Sequence, residues 1–136
     1  MSKISVVCLC VRDGKVFIAK RNPVGQMGNR WEFPGGKVEK NESDESAIIR
    51  EMKEEFGIDV TIVNRICKKN FINCDVNLEL HVYEVSFPHD GLEKRFTLSE
   101  HSEYRWVFFS DIDKNCFVDS DFSIMDICKN YFESKR

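Results

Sequence analysis

Residues 35 to 58, GGKVEKNESDESAIIREMKEEFGI, constrain the fold more than any other stretch of this chain. Ala47, Ile48, Met52 and Phe56 recur at helical spacing, so the second half is expected to form an amphipathic helix. Ser43 or Asn41 suits its N-cap, Asp44 and Glu45 suit the positive end of its dipole, and Gly57 suits its end. On such a helix Glu51 and Glu55 stand one turn apart with Glu54 beside them, so three carboxylates crowd one stripe. Like charges at that spacing cost about 0.2–0.5 kcal/mol per pair, and the stripe lies at the helix end where the dipole favours cations. Arg50 and Lys53 offset part of this. A solvated acidic face is one account of the stripe. A bound hard cation, Mg2+ or Mn2+, is the other, because such ions prefer carboxylate, carbonyl and water oxygens.

The spacing favours the cation. From Gly36, five residues lead to Glu42, and seven more lead to Arg50-Glu51-Met52-Lys53-Glu54-Glu55-Phe56-Gly57-Ile58. Residues 36–58 therefore resemble the Nudix box at each of its fixed positions. The preceding Trp31-Glu32-Phe33-Pro34-Gly35-Gly36-Lys37 is similar to the MutT-like branch of that family. The resemblance implies an α/β protein, a Nudix-like α/β/α sandwich with a mixed central sheet, with residues 1–136 as a single domain. It implies metal ligation by Glu51, Glu54 and Glu55 with the Gly36 carbonyl, and by Glu100, which precedes Trp106 by six residues. Glu51 and Glu100 are both candidates for the base, with Glu103 a nearby substitute, and pairing of Arg50 with an acidic neighbour such as Glu42 would orient the cluster.

The substrate side follows from the same comparison. Arg21 matches a nucleotide-site arginine, and a guanidinium suits phosphate oxygens. Gln26 falls on a loop that contacts nucleotide in MutT-like proteins, and Glu32, Phe33 and Gly35 line the entry to the box. Phe33 or Phe71 could stack on a base, although with 11 Phe in the chain core packing is the commoner use. Asp121 stands where MutT-like enzymes carry a base-reading Asn. Related cytidine triphosphate hydrolases have Asp there, and also share the Glu100-His101 pair. An ionised Asp only accepts hydrogen bonds, so it suits the amino group of cytosine or the N1/N2 edge of guanine. The chain departs from the MutT-like pattern at Val76 and at Val118-Asp119.

The remaining chain is expected to supply the scaffold. Ile4 to Val11 reads as a strand buried on both faces, and Asp13-Gly14 predicts a hairpin to Val16–Lys20. Trp31–Phe33, Val60–Asn73 and Leu78–Phe87 read as strands, and Pro88-His89-Asp90-Gly91 as a turn. Glu100–Tyr104 reads as a polar loop before a strand at Arg105–Phe109. Ser110 is expected to cap a short turn through Asp113. Asp121–Phe132 reads as a closing helix capped by Ser120, with Ile124, Ile127, Cys128 and Tyr131 in the core.

Composition narrows the partners. With 136 residues, 42% hydrophobic and 32% charged, the chain can bury one core and is not disordered. A net charge of −3 argues against broad nucleic-acid binding. None of the six cysteines forms a Cys-x-x-Cys pair, so Cys8 and Cys10 are read as small core residues rather than zinc ligands. No leader and no membrane-length apolar run is evident, and a cytoplasmic monomer or homodimer is expected. The expected activity is Mg2+-dependent hydrolysis of a modified or ordinary nucleoside triphosphate, such as 8-oxo-dGTP or 5-methyl-dCTP, to the monophosphate and pyrophosphate. The alternatives are a Nudix hydrolase of ADP-ribose or a nucleotide sugar, and a non-catalytic nucleotide-binding module.

Overall fold

The computed structural model describes residues 3–25, 27–73, 76–88 and 97–135. Its mixed sheet runs β5-β1-β7-β6, built from β1 (Lys3–Leu9), β5 (Gly35–Lys37), β6 (Thr61–Asn73) and β7 (Val76–Ser86). β1 lies parallel to β7 and antiparallel to β5, while β6 and β7 are antiparallel with two register shifts. A second sheet joins β2 (Val11–Arg12), β3 (Lys15–Arg21), β4 (Trp31–Glu32) and β8 (His101–Val107), with β3 paired to each of the others. The β2–β3 turn has positive φ at both Asp13 and Gly14, the geometry an Asp-Gly hairpin favours.

Helices cover both faces, giving a mixed α/β sandwich. Val6, Cys8 and Cys10 pack with Ala47, Ile48, Met52 and Phe56 of α1 (Asp44–Phe56). Val7 and Leu9 face the other way, toward Ile124, Met125 and Cys128 of the C-terminal helices. This two-sided burial explains why β1 carries no polar alternation. Phe17 anchors the first core, with ring contacts to Phe56, Phe87, Tyr104 and Trp106 between 5.0 and 5.4 Å.

The site helix is fixed at both ends. Ser43 accepts from the Ser46 amide at the N-terminus, and Gly57 closes the C-terminus in the left-handed conformation with its N–H on Lys53 O. Asp44 reaches across to β7, where its Oδ2 lies 2.6 Å from His81 Nδ1 and accepts the Tyr83 hydroxyl at 2.7 Å. The other ring nitrogen of buried His81 lies 2.9 Å from Glu79. A polar network of this kind ties the first turn of α1 to the central sheet.

Five local expectations are corrected. β8 begins at His101, not Arg105, because His101–Tyr104 pair with β3 residues that the linear sequence does not reveal. The closing helix is two helices, α2 (Asp119–Phe122) and α3 (Met125–Ser134). Ser120 lies inside α2, whose cap position is Val118, and the Ser123 hydroxyl bonds the Ser120 carbonyl at the break. Restarting the helix at Met125 leaves Ile127 40% exposed, outside the core. Ser110 sits within a 3-10 turn, Phe109–Asp111, rather than capping it. The turn expected at 88–91 lies outside the described residues beyond Pro88, as does Cys74. None of the described helices is long and apolar enough to cross a membrane.

If the Asp44 network holds α1 to the sheet, Asp44→Ala should lower the free energy of unfolding by about 1–3 kcal/mol, the cost of leaving buried polar partners unpaired. Urea denaturation checks this, and an unchanged midpoint would contradict it.

Candidate active site

Arg50 organises the acidic stripe. Its Nε and one terminal nitrogen clamp Glu42 at 2.7 and 2.9 Å, and the same terminal nitrogen donates to Lys37 O at 3.0 Å. The other terminal nitrogen donates to Glu51 at 2.9 Å and Glu54 at 3.3 Å, and lies 3.7 Å from Glu39. The fork of the guanidinium thus fastens the loop after β5 to the helix and aims two carboxylates of the stripe. The paired guanidinium, with the Glu39 amide, pulls the Glu42 carboxyl down to about 2.

Burial divides the three helix carboxylates. Glu54 is 60% exposed, Glu51 is mostly covered, and Glu55 is only 3% exposed. Burial first, then hydrogen bonding and charge from Glu51, then Glu32 and Glu100, push the Glu55 carboxyl up to about 10. Gly36 lies against this group. A β-carbon there would come within 2.6 Å of both Glu51 carboxylate oxygens, so any side chain at this position would displace the Glu51 carboxylate. Gly35 has φ +145°, and a β-carbon there would collide with Val6 O.

These groups open onto a cleft of about 480 Å³ lined by Gly36, Arg50, Glu51, Glu54, Glu55 and Glu100. Arg21, Glu32, Phe33, Gly35 and Asp121 line it as well. Arg21 donates to Glu32 at 3.2 Å, while its buried Nε has no partner among the described atoms. Asp121 is buried and accepts the Phe33 amide at 2.9 Å. Its burial, followed by the charge of Glu32, raises its pKa well above the ordinary value. The Phe33 ring is core, edge-on to Phe117 at 5.1 Å, so only its amide reaches Asp121. Glu103 is drawn instead to Lys20 and Arg105 on the second sheet. Gln26 lies outside the described residues. A larger cavity of about 640 Å³, between the β2–β3 turn and the end of α3, gathers Phe108, Phe109 and Phe132 but no carboxylate cluster of this kind.

The donor set fits a divalent cation. Among the described residues, buried Glu55 Oε2 and His101 Nδ1 have no hydrogen-bond partner, and Glu32, Glu55 and His101 each offer a donor atom within 4.8 Å of the others. Hard carboxylate oxygens dominate the cluster, which suits Mg2+ or Mn2+. The sequence marks His101 only as half of the Glu100-His101 pair and does not say whether it is buried. It is 4% exposed, with Nε2 2.8 Å from Glu32 and its ring stacked on Phe56. Its only signal in the sequence was adjacency to Glu100. The Asp44–His81–Tyr83 network gave no local signal at all.

The Glu55 shift has a sign that can be checked. The unfolded chain ionises this group near 4.5, while the folded chain retains the proton to about 10. Its contribution to stability is therefore full below about pH 4.5 and is lost as pH rises toward 10. In chelator, Glu55→Gln should flatten the fall in melting temperature between pH 6 and 9, and parallel wild-type and variant curves would contradict this.

The comparisons with known proteins agree with this geometry. The NUDIX domain family model matches residues 1–126. The chain is 34% identical over 107 residues to the CTP pyrophosphohydrolase of Escherichia coli K12, covering 78% of this chain and 76% of that one. It is 52% identical over 58 residues to the 8-oxo-dGTP diphosphatase of Proteus vulgaris, a match spanning 43% of this chain and about half of that relative, 52%. Its fold is similar to that of the MutT protein from Methanosarcina mazei, with TM-score 0.78 and 23% identity, covering 99% of this chain and 96% of that one. The chain belongs to the NUDIX domain family and is a Nudix-type hydrolase.

Proposed function

We propose that the protein hydrolyses a nucleoside triphosphate to the monophosphate and pyrophosphate with the help of Mg2+ or Mn2+. The observation that carries this reading is one cleft lined by the carboxylates of the α1 stripe, buried Glu55 among them, together with Arg21 and buried Asp121. The Nudix family and the relatives named for CTP and for 8-oxo-dGTP support it. The candidate substrates are ordinary or modified nucleotides of those kinds, 8-oxo-dGTP and 5-methyl-dCTP among them. Residues 1–136 are taken as a single catalytic domain.

Hydrolysis of a phosphoanhydride asks the protein mainly for positioning and charge neutralisation. The Gly36 carbonyl and the carboxylates of Glu51, Glu54, Glu55 and Glu100 would hold the cation, which when bound neutralises phosphate charge and favours ionisation of water. Arg50 keeps Glu51 and Glu54 aimed. Glu51 or Glu100 takes the proton of the attacking water. Water adds to phosphorus, the anhydride P–O bond breaks, and the pyrophosphate oxygen leaves with the electron pair. Arg21 would release Glu32 in part to meet phosphate oxygens. Asp121, which accepts the Phe33 amide, would receive the base edge, with nucleotide contact assigned to Gln26 by the family resemblance.

Glu54→Gln should lower pyrophosphate release about 100-fold or more while leaving stability within about 0.5 kcal/mol, as expected for a charge-stabilising group on an exposed position. Retained turnover in saturating Mg2+ would remove Glu54 from the cation site. Asp121→Asn should change the ratio of kcat/KM for CTP over 8-oxo-dGTP, and an unchanged ratio would remove it from base recognition.

A further inference from the structure

His101 lies between Glu32 and Glu55, two of the carboxylates that line the cleft. Nε2 sits 2.8 Å from Glu32 Oε2, and because a carboxylate only accepts, Nε2–H is the donor. On the opposite edge of the ring, Nδ1 is 3.7 Å from Glu55 Oε1, in contact but beyond hydrogen-bond range. The ring is held flat against Phe56 with centroids 5.2 Å apart and an interplanar angle of 15°. Glu32 uses its other oxygen to accept from Arg21 at 3.2 Å. Two hydrogen bonds and one non-bonded contact therefore link Arg21–Glu32–His101–Glu55, from the second sheet to the last turn of α1. The β8 register places His101 opposite Arg21 itself, at the point where the β3–β8 pairing shifts.

We infer that His101 is a positioning residue that couples the phosphate-facing Arg21 to the metal carboxylate Glu55, acting through its Nε2–H on Glu32. The inference rests on the pyrophosphohydrolase reading and adds to it a residue outside the groups assigned there to the cation, with its Nε2–H committed to Glu32. A hydrogen bond from Nε2 fixes which way the Glu32 carboxylate faces. Glu32 then decides where the Arg21 guanidinium can sit, and the ring wedge sets the separation of Glu32 from Glu55. Partners one shell removed from metal ligands commonly govern affinity in this way.

Three substitutions separate the positioning role from packing alone. Glutamine carries an amide N–H near the Nε2 position, asparagine carries one near Nδ1, and leucine fills space without a donor. Mn2+ binding is read by electron paramagnetic resonance of free Mn2+, without turnover, and KM and kcat are measured with CTP and 8-oxo-dGTP. His101→Leu and His101→Asn should weaken Mn2+ binding and raise KM by about 10–100-fold, while His101→Gln stays within about threefold of wild type. In an Arg21–Glu32–His101 chain, adding His101→Leu to Glu32→Gln should cause little further loss, since coupled residues are not additive. Equal behaviour of the glutamine and leucine variants, or additive losses in the double variant, would overturn the inference. Should the leucine variant fail to fold, glutamine against asparagine decides the same point. Absence of turnover of any nucleotide by the wild type would instead sink the functional reading, while the Mn2+ comparison would still judge His101.

Discussion

An excess of acid around a single guanidinium governs this molecule. Arg50 reaches four carboxylates, those of Glu39, Glu42, Glu51 and Glu54, and cannot fully neutralise them. Glu55 lies deeper, beyond its reach, and its carboxyl keeps a proton because burial and its acidic neighbours make the charged form costly. A protein that needed only a stable helix would replace these side chains with neutral ones. Their persistence in a cleft is economical when a dication supplies the missing charge.

The rest of the fold serves to hold that cluster next to Arg21, Glu32 and Asp121 in one cleft. β5 brings Gly36 against Glu51, with no space for a β-carbon, and Arg50 ties the loop after it to α1. Asp44 anchors the other end of the helix to β7 through His81 and Tyr83. To the same cleft the second sheet contributes Arg21 and Glu32, and α2 contributes Asp121. Two sheets meet at the site, so a substrate with a phosphate chain at one end and a flat polar group at the other would be held from both.

What was legible in the sequence was what depends on neighbours along the chain. The Asp13-Gly14 turn, the Ser43 and Gly57 caps and the apolar stripe of α1 are all local signals, and all appear in the structure. The two-sided burial of β1 was readable because a run without polar alternation has few other uses. Features set by long-range pairing were not. The start of β8 at His101 depends on pairing with β3, and burial of His101 depends on Glu32 and Phe56, which lie far from it in sequence. The break between α2 and α3 is made by a serine bonding a carbonyl, which the hydrophobic period does not register. In the candidate site, the box glutamates followed from spacing, whereas the use of the Phe33 amide rather than its ring followed only from packing against Phe117.

Anomalous diffraction from crystals grown with Mn2+ and a non-hydrolysable nucleoside triphosphate analogue tests the central claim most directly. The account predicts anomalous density within coordination distance of Glu51, Glu54, Glu55 and the Gly36 carbonyl, with the analogue's phosphates upon it and its base toward Asp121. Manganese bound elsewhere, or the analogue seated in the cavity beside Phe108 and Phe132 with the acidic cleft bare, would contradict it.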